Sequence, residues 1–290
     1  MPFVEITDAR DGLNPILRRT LFLVQEELRD KRFMRSSKAL RTASDMFETN
    51  VEEIFDVLVD TTWPRSELPL IDGQGMFAFP VAHPDFSEIR LSDFCANILN
   101  CNANLDVDAP LPIPVPYALV NGTLGYAQSI SKIPSHNLGE IIEATIALIQ
   151  DPKLETEQLL QYINGPDLLV GGTIENYGDL HKIYESGVGT IKVVVESDTI
   201  NGRFFDDARD YSFWYGMKAR KVRNEDAYRL EIPYYALLND GAETRLCSLK
   251  DILQLFVDFY KSCNAAMSDE ELCQLLLKYK ELTSSRMTQF

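Results

Sequence analysis

The sequence predicts an α+β fold, with helices first, a mixed middle and helices last. Three observations carry that expectation. Capped segments with apolar residues at helical spacing crowd the stretch from Asn14 to Leu58. Two stretches further on, TIKVVVES and AYRLEIPY, are dominated by β-branched and aromatic residues. Two more capped amphipathic segments close the chain, and this grouping of strands and helices is that of an α+β protein.

The first helix is announced by Asn14-Pro15, a cap residue ahead of a proline at the first helical position. Leu17, Leu21, Val24 and Leu28 then recur as one buried stripe, which leaves Arg18 and Arg19 facing outward. A second helix opens at Thr49 or Asn50, with Glu52 and Glu53 in capping-box register and Ile54, Val57 and Leu58 on its apolar face. Ser87 is expected to cap a third, carrying Leu91, Phe94, Ile98 and Leu99; Asn137 with Glu140 caps a fourth through IIEATIALIQ. Between these lie turn-rich pieces, WPRSELPLIDGQG and DAPLPIPVPYALVNGT, whose prolines are expected to forbid helix and favour extended edges or loops. The segment NGRFFDDARDYSFWYGMKARK is expected to add one or two strands. At the end, Ser248 with Asp251 and Ser268 with Glu271 open two short helices joined like a hairpin.

A chain of 290 residues, 45% hydrophobic and 25% charged, is long enough to bury a substantial core. It has neither a basic start followed by an apolar run nor an apolar stretch long enough to span a bilayer, so the expected location is cytoplasmic, with no membrane partner. Cys95, Cys101, Cys247, Cys263 and Cys273 are odd in number and never spaced C-x-x-C; they read as reduced, mostly buried thiols. His83, His136 and His181 are too far apart in sequence to suggest a local metal site, and no phosphate-cradling glycine motif for ATP or a dinucleotide is present. The net charge of −16 opposes nucleic-acid binding, because Lys and Arg supply most of that affinity. Its distribution is uneven. Residues 1–41 carry nine basic against six acidic side chains, whereas residues 42–72 carry eight acidic ones opposed only by Arg65.

Nine stretches, taken in order, resemble the breakage-reunion region of the A subunits of type IIA topoisomerases, DNA gyrase and topoisomerase IV. They are DARDGLNPILRRTLF, LIDGQGMF, SEIRLSDF, LVNGTLGYA, KIPSHNLGEII, INGPDLLVGG, ESGVGTIKV, EIPYY and SLKDILQLFV. DGQG alone would be no more than a tight turn; nine matches in register are a specific signal. The resemblance implies a winged-helix-like domain over residues 1–112, a tower-like mixed α/β domain over 113–246, and a C-terminal helical hairpin over 247–290 where the family has a coiled coil ending in a dimer gate. It also implies little or no arm for gripping a B subunit. The partners it implies are a second copy, double-stranded DNA, or a gyrase or topoisomerase IV subunit.

The departures concentrate where the family does its chemistry. There a tyrosine attacks a DNA phosphate and the preceding arginine steadies the charge; the matching residues here are Phe86 and Asp85. Phenylalanine has no oxygen to act as nucleophile, and aspartate reverses the electrostatic contribution. On this basis Phe86 is expected to pack in an apolar pocket before Leu91 and Phe94, and no catalytic residue is assigned. The family's His-Pro-His-Gly stretch is replaced by SDMFETNVEE, which makes the helix expected in the major groove an acidic one. Arg10, Arg18 and Arg19 match phosphate-contacting positions; Lys132 and Ile133 sit where the family inserts an apolar wedge between base pairs. A residue-level reading leaves Arg10 open as a turn salt bridge and Ile133 open as core packing. Tyr126 is a substitute nucleophile only by position, and His136 is expected to hydrogen-bond structurally. No metal ligand or cofactor is expected in this chain: magnesium and ATP would belong to a partner B subunit. Three functions follow as expectations. The first is a dimeric scaffold that binds DNA or associates with a topoisomerase and does not cleave. The others are an active ATP-hydrolysing A-subunit variant working with a partner, and an acidic regulator of gyrase or topoisomerase IV.

Overall fold

The computed structural model describes residues 6–28, 32–62, 66, 68–76, 82–102, 105–124, 130–168, 171–196, 217–222 and 227–287. Helix α1 (Pro15–Glu27) starts as its sequence dictates: the Asn14 side chain accepts a hydrogen bond from the Leu17 N–H at 2.7 Å, and Pro15 occupies the first turn. Leu17, Leu21, Val24 and Leu28 are buried, each side chain contributing roughly 1.5–3 kcal/mol when fully withdrawn from water. Strand β1 (Met34–Arg35), α2 (Ser36–Ala39), α3 (Arg41–Phe47) and α4 (Val51–Val59) follow. Asn50 caps α4 through the Glu53 N–H at 2.8 Å; Ile54, Val57 and Leu58 turn inward, and Glu52, Glu53 and Asp56 stay exposed. The α3–α4 turn places Glu48 in the left-handed region at φ 51°.

Strands β2 (Ile71–Gly75) and β3 (Ser87–Leu91) form with β1 an antiparallel sheet of order β1-β3-β2, with Met34 and Gly73 both opposite Ile89. Two expectations are corrected here. IDGQG is a strand rather than part of a turn-rich loop. Ser87 begins a strand and caps no helix, because Ser87 and Ile89 alternate inward with Glu88 outward, a period of two. The helix cap is Ser92, which accepts from the Cys95 N–H and opens α5 (Asp93–Cys101).

The middle begins with α6 (Tyr117–Val120), a short helical turn that corrects the expectation of no helix in this proline-rich stretch: its prolines all precede the helical residues, and Pro116 sits at the N-cap, where a proline is tolerated. Next come α7 (Leu138–Gln150), capped by Asn137 as expected, and α8 (Thr156–Leu159). Strand β4 (Thr173–Ile174), α9 (Leu180–Ser186), β5 (Val188–Glu196), β6 (Lys218–Lys221) and β7 (Ala227–Tyr235) build an antiparallel sheet of order β4-β5-β7-β6. The two stretches read as strands are β5 and β7, and Lys218–Lys221 supplies the extra strand. Residues 201–216 of that expected segment lie outside the described residues. Ile191 and Val193 pair with Ile232 and Leu230, and with Val195 and Tyr234 they turn into the core; α9 lies on that face.

A small hairpin, β8 (Leu237–Asn239) and β9 (Thr244–Leu246), leads to α10 (Leu249–Cys263), which opens on the expected Ser248/Asp251 capping box. Helix α11 (Asp269–Met287) is 19 residues long rather than short, and it docks along α7 with a Lys280–Glu143 ion pair. Its Tyr279 meets Phe94 of α5 edge to face at 5.7 Å. The N-terminal turn is stitched to β8 by Ala9 N–H to Asn239 O at 2.9 Å and Asn239 N–H to Thr7 O at 3.0 Å. One continuous set of buried apolar side chains runs from Ala9 to Leu276. Among the described residues no helix is long and apolar enough to cross a membrane. The cysteines are free, but only Cys95 and Cys247 are buried; Cys101 and Cys263 are exposed at helix ends, against the expectation of mostly buried thiols.

Candidate nucleic-acid interface

The Asp8–Gly12 turn gathers the expected arginines. Gly12 sits at φ 71°, and a Cβ there would lie 2.2 Å from the Ala118 nitrogen, so only glycine allows this approach. Asp8 takes both the Nε (2.9 Å) and Nη2 (2.7 Å) of Arg10, whose guanidinium also lies 5.7 Å from the Phe259 ring centre. The turn salt bridge left open for Arg10 is therefore formed.

Arg18 does not face outward as expected. Its side chain is 4% exposed and paired with the fully buried Asp11 through two bonds, Nε to Oδ2 at 2.7 Å and Nη2 to Oδ1 at 2.9 Å. The physical reason is that Asp11, which also accepts the Leu13 and Leu111 backbone N–H groups, needs a counter-charge once buried. Burial alone would favour a neutral Arg18, but the carboxylates of Asp11, Asp8 and Asp108 hold its pKa above the ordinary value. Arg19 is partly exposed, and its Nε donates to Asp108 at 2.5 Å. All three arginines thus already have carboxylate partners.

The second cluster sits where the 121–124 loop meets residues 131–136. Gly122 at φ 69° lets the backbone pass close to the Ile133 carbonyl. The Ile133 N–H donates to Thr123 Oγ1 at 2.8 Å, its carbonyl accepts from the Thr123 N–H, and its side chain is fully buried. Ile133 therefore packs as core, the alternative left open for it beside the wedge. Lys132 pairs its backbone with Tyr235; burial lowers its ammonium pKa, and the nearby charge of Asp60 opposes that shift. His136 is buried, bonded through Nε2 to the Tyr184 hydroxyl at 2.7 Å and through Nδ1 to the Leu119 carbonyl at 3.2 Å. Burial pushes its pKa down to about 4 against those backbone contacts, so it is neutral and structural. Tyr126 lies outside the described residues.

The expected pocket for Phe86 is absent: the side chain is 65% exposed in the turn before β3. The alternation that points Ser87 and Ile89 inward leaves Phe86 at the strand mouth. Its backbone is fixed by Phe86 N–H to His83 O and Met76 N–H to Phe86 O, and its ring tilts against His83 at 5.3 Å. Asp85 beside it is exposed, and its N–H donates to His83 Nδ1. This turn abuts α2, since the Ser37 N–H donates to the Pro84 carbonyl at 3.0 Å.

The outward reading of α1 missed the cations that the structure does expose. Arg32, Arg35, Lys38 and Arg41 all face solvent, and no acidic residue occurs from Arg32 to Ser44. The positive balance of residues 1–41 was the available signal, but it belongs to this strip rather than to α1. Among the described residues no group of three metal-ligating side chains occurs.

Residues 5–204 match the family model of the DNA gyrase/topoisomerase IV A subunit. The A subunit of DNA gyrase from Granulibacter bethesdensis is 30% identical over 323 aligned residues, covering 88% of this chain and 34% of that protein. Its counterpart in the gyrase of Haloquadratum walsbyi is 33% identical over 68% of this chain and 26% of its own length. The A subunit of DNA topoisomerase 4 from Streptococcus pyogenes serotype M3 is 31% identical over 67% of this chain and 26% of its own. The chain spans about a third or less of the length of these curated relatives.

Proposed function

Because the chain belongs to the A-subunit family of DNA gyrase and topoisomerase IV, we propose that it is a frame that holds duplex DNA without cutting it. The observation that carries this reading is the pair Asp85-Phe86 at the position resembling the family's arginine and tyrosine. Phe86 reaches solvent there but offers no hydroxyl, and Asp85 brings a negative charge to a place where a phosphate would need a positive one. Helices α3 and α4 followed by a β2–β3 hairpin, closed by β1, support a winged-helix-like reading of the first part. The β4-β5-β7-β6 sheet with α9 supports a tower-like second part. The chain works as a homodimer in the cytoplasm, and magnesium and ATP, where needed, come with a B subunit.

A second reading has its own observation. The exposed face of α4 carries Glu52, Glu53 and Asp56, so the helix that would enter the major groove repels phosphate and suits a basic protein surface, as in a regulator of gyrase or topoisomerase IV. Incubating the full chain with supercoiled plasmid and magnesium, then denaturing with detergent, tests the proposal. Intact plasmid with no protein-linked DNA is expected, both for the wild type and for Phe86→Tyr, because Asp85 remains. A covalent adduct with the wild type would restore the active-variant reading.

A further inference from the structure

We propose that the phosphate-contacting surface of this chain is the cationic strip Arg35, Lys38 and Arg41, flanked by Arg32, rather than the arginines of the first turn and α1. This rests on the DNA-binding reading and names the surface that performs it. Arg10, Arg18 and Arg19 are each paired with a carboxylate of the same chain, and Arg18 is withdrawn from solvent altogether. A phosphate approaching them would have to displace Asp8, Asp11 or Asp108. The strip differs in every respect. Its four side chains are exposed, none is ion-paired among the described residues, and thirteen consecutive positions from Arg32 to Ser44 contain no carboxylate.

The strip is also a rigid surface. Arg35 lies in β1 opposite Glu88, whose carboxylate accepts from Gln74. The Ser36 and Ser87 hydroxyls bond at 2.9 Å, and Leu40 and Ala43 are buried. Leu40 N–H to Ser36 O and Ser44 N–H to Leu40 O carry the helical turn through α2 into α3. Arg35, Lys38 and Arg41 therefore follow one another at intervals of three residues, Arg35 at the N-cap of α2 and Lys38 and Arg41 on the helical stretch itself, where such neighbours have Cβ atoms about 5–6 Å apart. Such a row suits a line of phosphates better than a single anion, which one or two of the cations would satisfy. It runs past the Pro84–Phe86 turn, so a backbone lying on it would pass the exposed Phe86 ring. The nearby carboxylates are Glu27, which accepts from the Thr42 hydroxyl beside Arg41, and Asp85, Glu88 and Asp45, and beyond them the acidic face of α4; these confine the contact to one side of a duplex.

The test uses the full chain and a fluorescein-labelled duplex of about 25 base pairs, titrated at several salt concentrations. A triple variant Arg35→Gln, Lys38→Gln, Arg41→Gln is compared with Arg10→Gln/Arg19→Gln. The strip variant is expected to bind at least tenfold more weakly, and the slope of log K against log salt should flatten by about 3 for each protomer on the duplex, close to 0.9 per lost contact. Its melting temperature should stay within about 2 °C of the wild type, because the replaced side chains are exposed. The Arg10/Arg19 pair should keep most of the affinity and slope. If DNA is bound but the strip variant keeps wild-type affinity and slope, this assignment is wrong and the DNA-binding reading survives. If the wild type binds no duplex even at low salt, both fail.

Discussion

Arg18 separates a structural arginine from a DNA-contacting one more sharply than any other residue. In Arg18→Met, Asp11 stays fully buried with its two backbone donors, Leu13 and Leu111, but loses both guanidinium bonds and the charge that balances it. Asp8, 3.6 Å from Arg18, loses part of its own balance as well. Breaking a buried pair on one side costs about 3–5 kcal/mol. For a chain of this size that should lower the melting temperature by on the order of 10 °C. Equilibrium urea unfolding of Arg18→Met, Asp11→Asn and the double variant gives the coupling directly. The double variant should be more stable than the sum of the single losses by at least about 1 kcal/mol, because no unpaired charge remains buried. A loss below about 1 kcal/mol for Arg18→Met, combined with a large drop in DNA affinity, would mean that Arg18 faces the ligand in solution and would refute the structural assignment.

Glu48→Gly should raise stability by about 1 kcal/mol in the same urea assay, since a non-glycine residue at φ 51° carries a steric penalty; an unchanged or lower midpoint would argue against the left-handed turn. Asp108→Asn should leave duplex affinity nearly unchanged, because the contact surface is the strip rather than Arg19, and should change stability by less than about 1 kcal/mol, because the pair is 36% and 59% exposed; a clear gain in affinity would place Arg19 at the DNA. His136 has a folded pKa near 4 against about 6.5 unfolded, so the unfolded chain binds the extra proton between those values. Its contribution is complete above about pH 6.5 and is lost as pH falls toward 4, by about 2 kcal/mol between pH 6.5 and 5; His136→Asn should remove that part of the pH dependence, and identical pH profiles would count against it.

How much of this was legible in the sequence depended on whether the signal was local. Caps at Asn14, Asn50, Asn137 and Ser248 act within three residues, and the structure uses each as read. Strands β5 and β7 announced themselves by composition for the same reason. SEIRL was ambiguous because Leu91, Phe94 and Ile98 do fit a helical stripe; the strand wins through its partners in β2, which lie a dozen or more residues earlier. The site was harder to read. A helical wheel places Arg18 off the apolar stripe of α1, but it cannot show that Asp11 and the Asp108 carbonyl wait on that side. Likewise Ile133 before a proline reads equally as wedge or core, and only the packing of the 121–124 loop decides it. That Phe86 offers no oxygen as a nucleophile needed no structure, since phenylalanine lacks one wherever it points. Its exposure did need the structure.

The salt dependence of wild-type binding to a labelled duplex tests the central claim most directly. If the chain is a DNA-holding frame whose contacts are the four cations of the strip, log K should fall linearly with log salt with a slope of about −3 to −4 for each protomer on the duplex. Absence of binding at the lowest salt, or an affinity indifferent to salt, would contradict the account and favour a protein partner on the acidic face of α4.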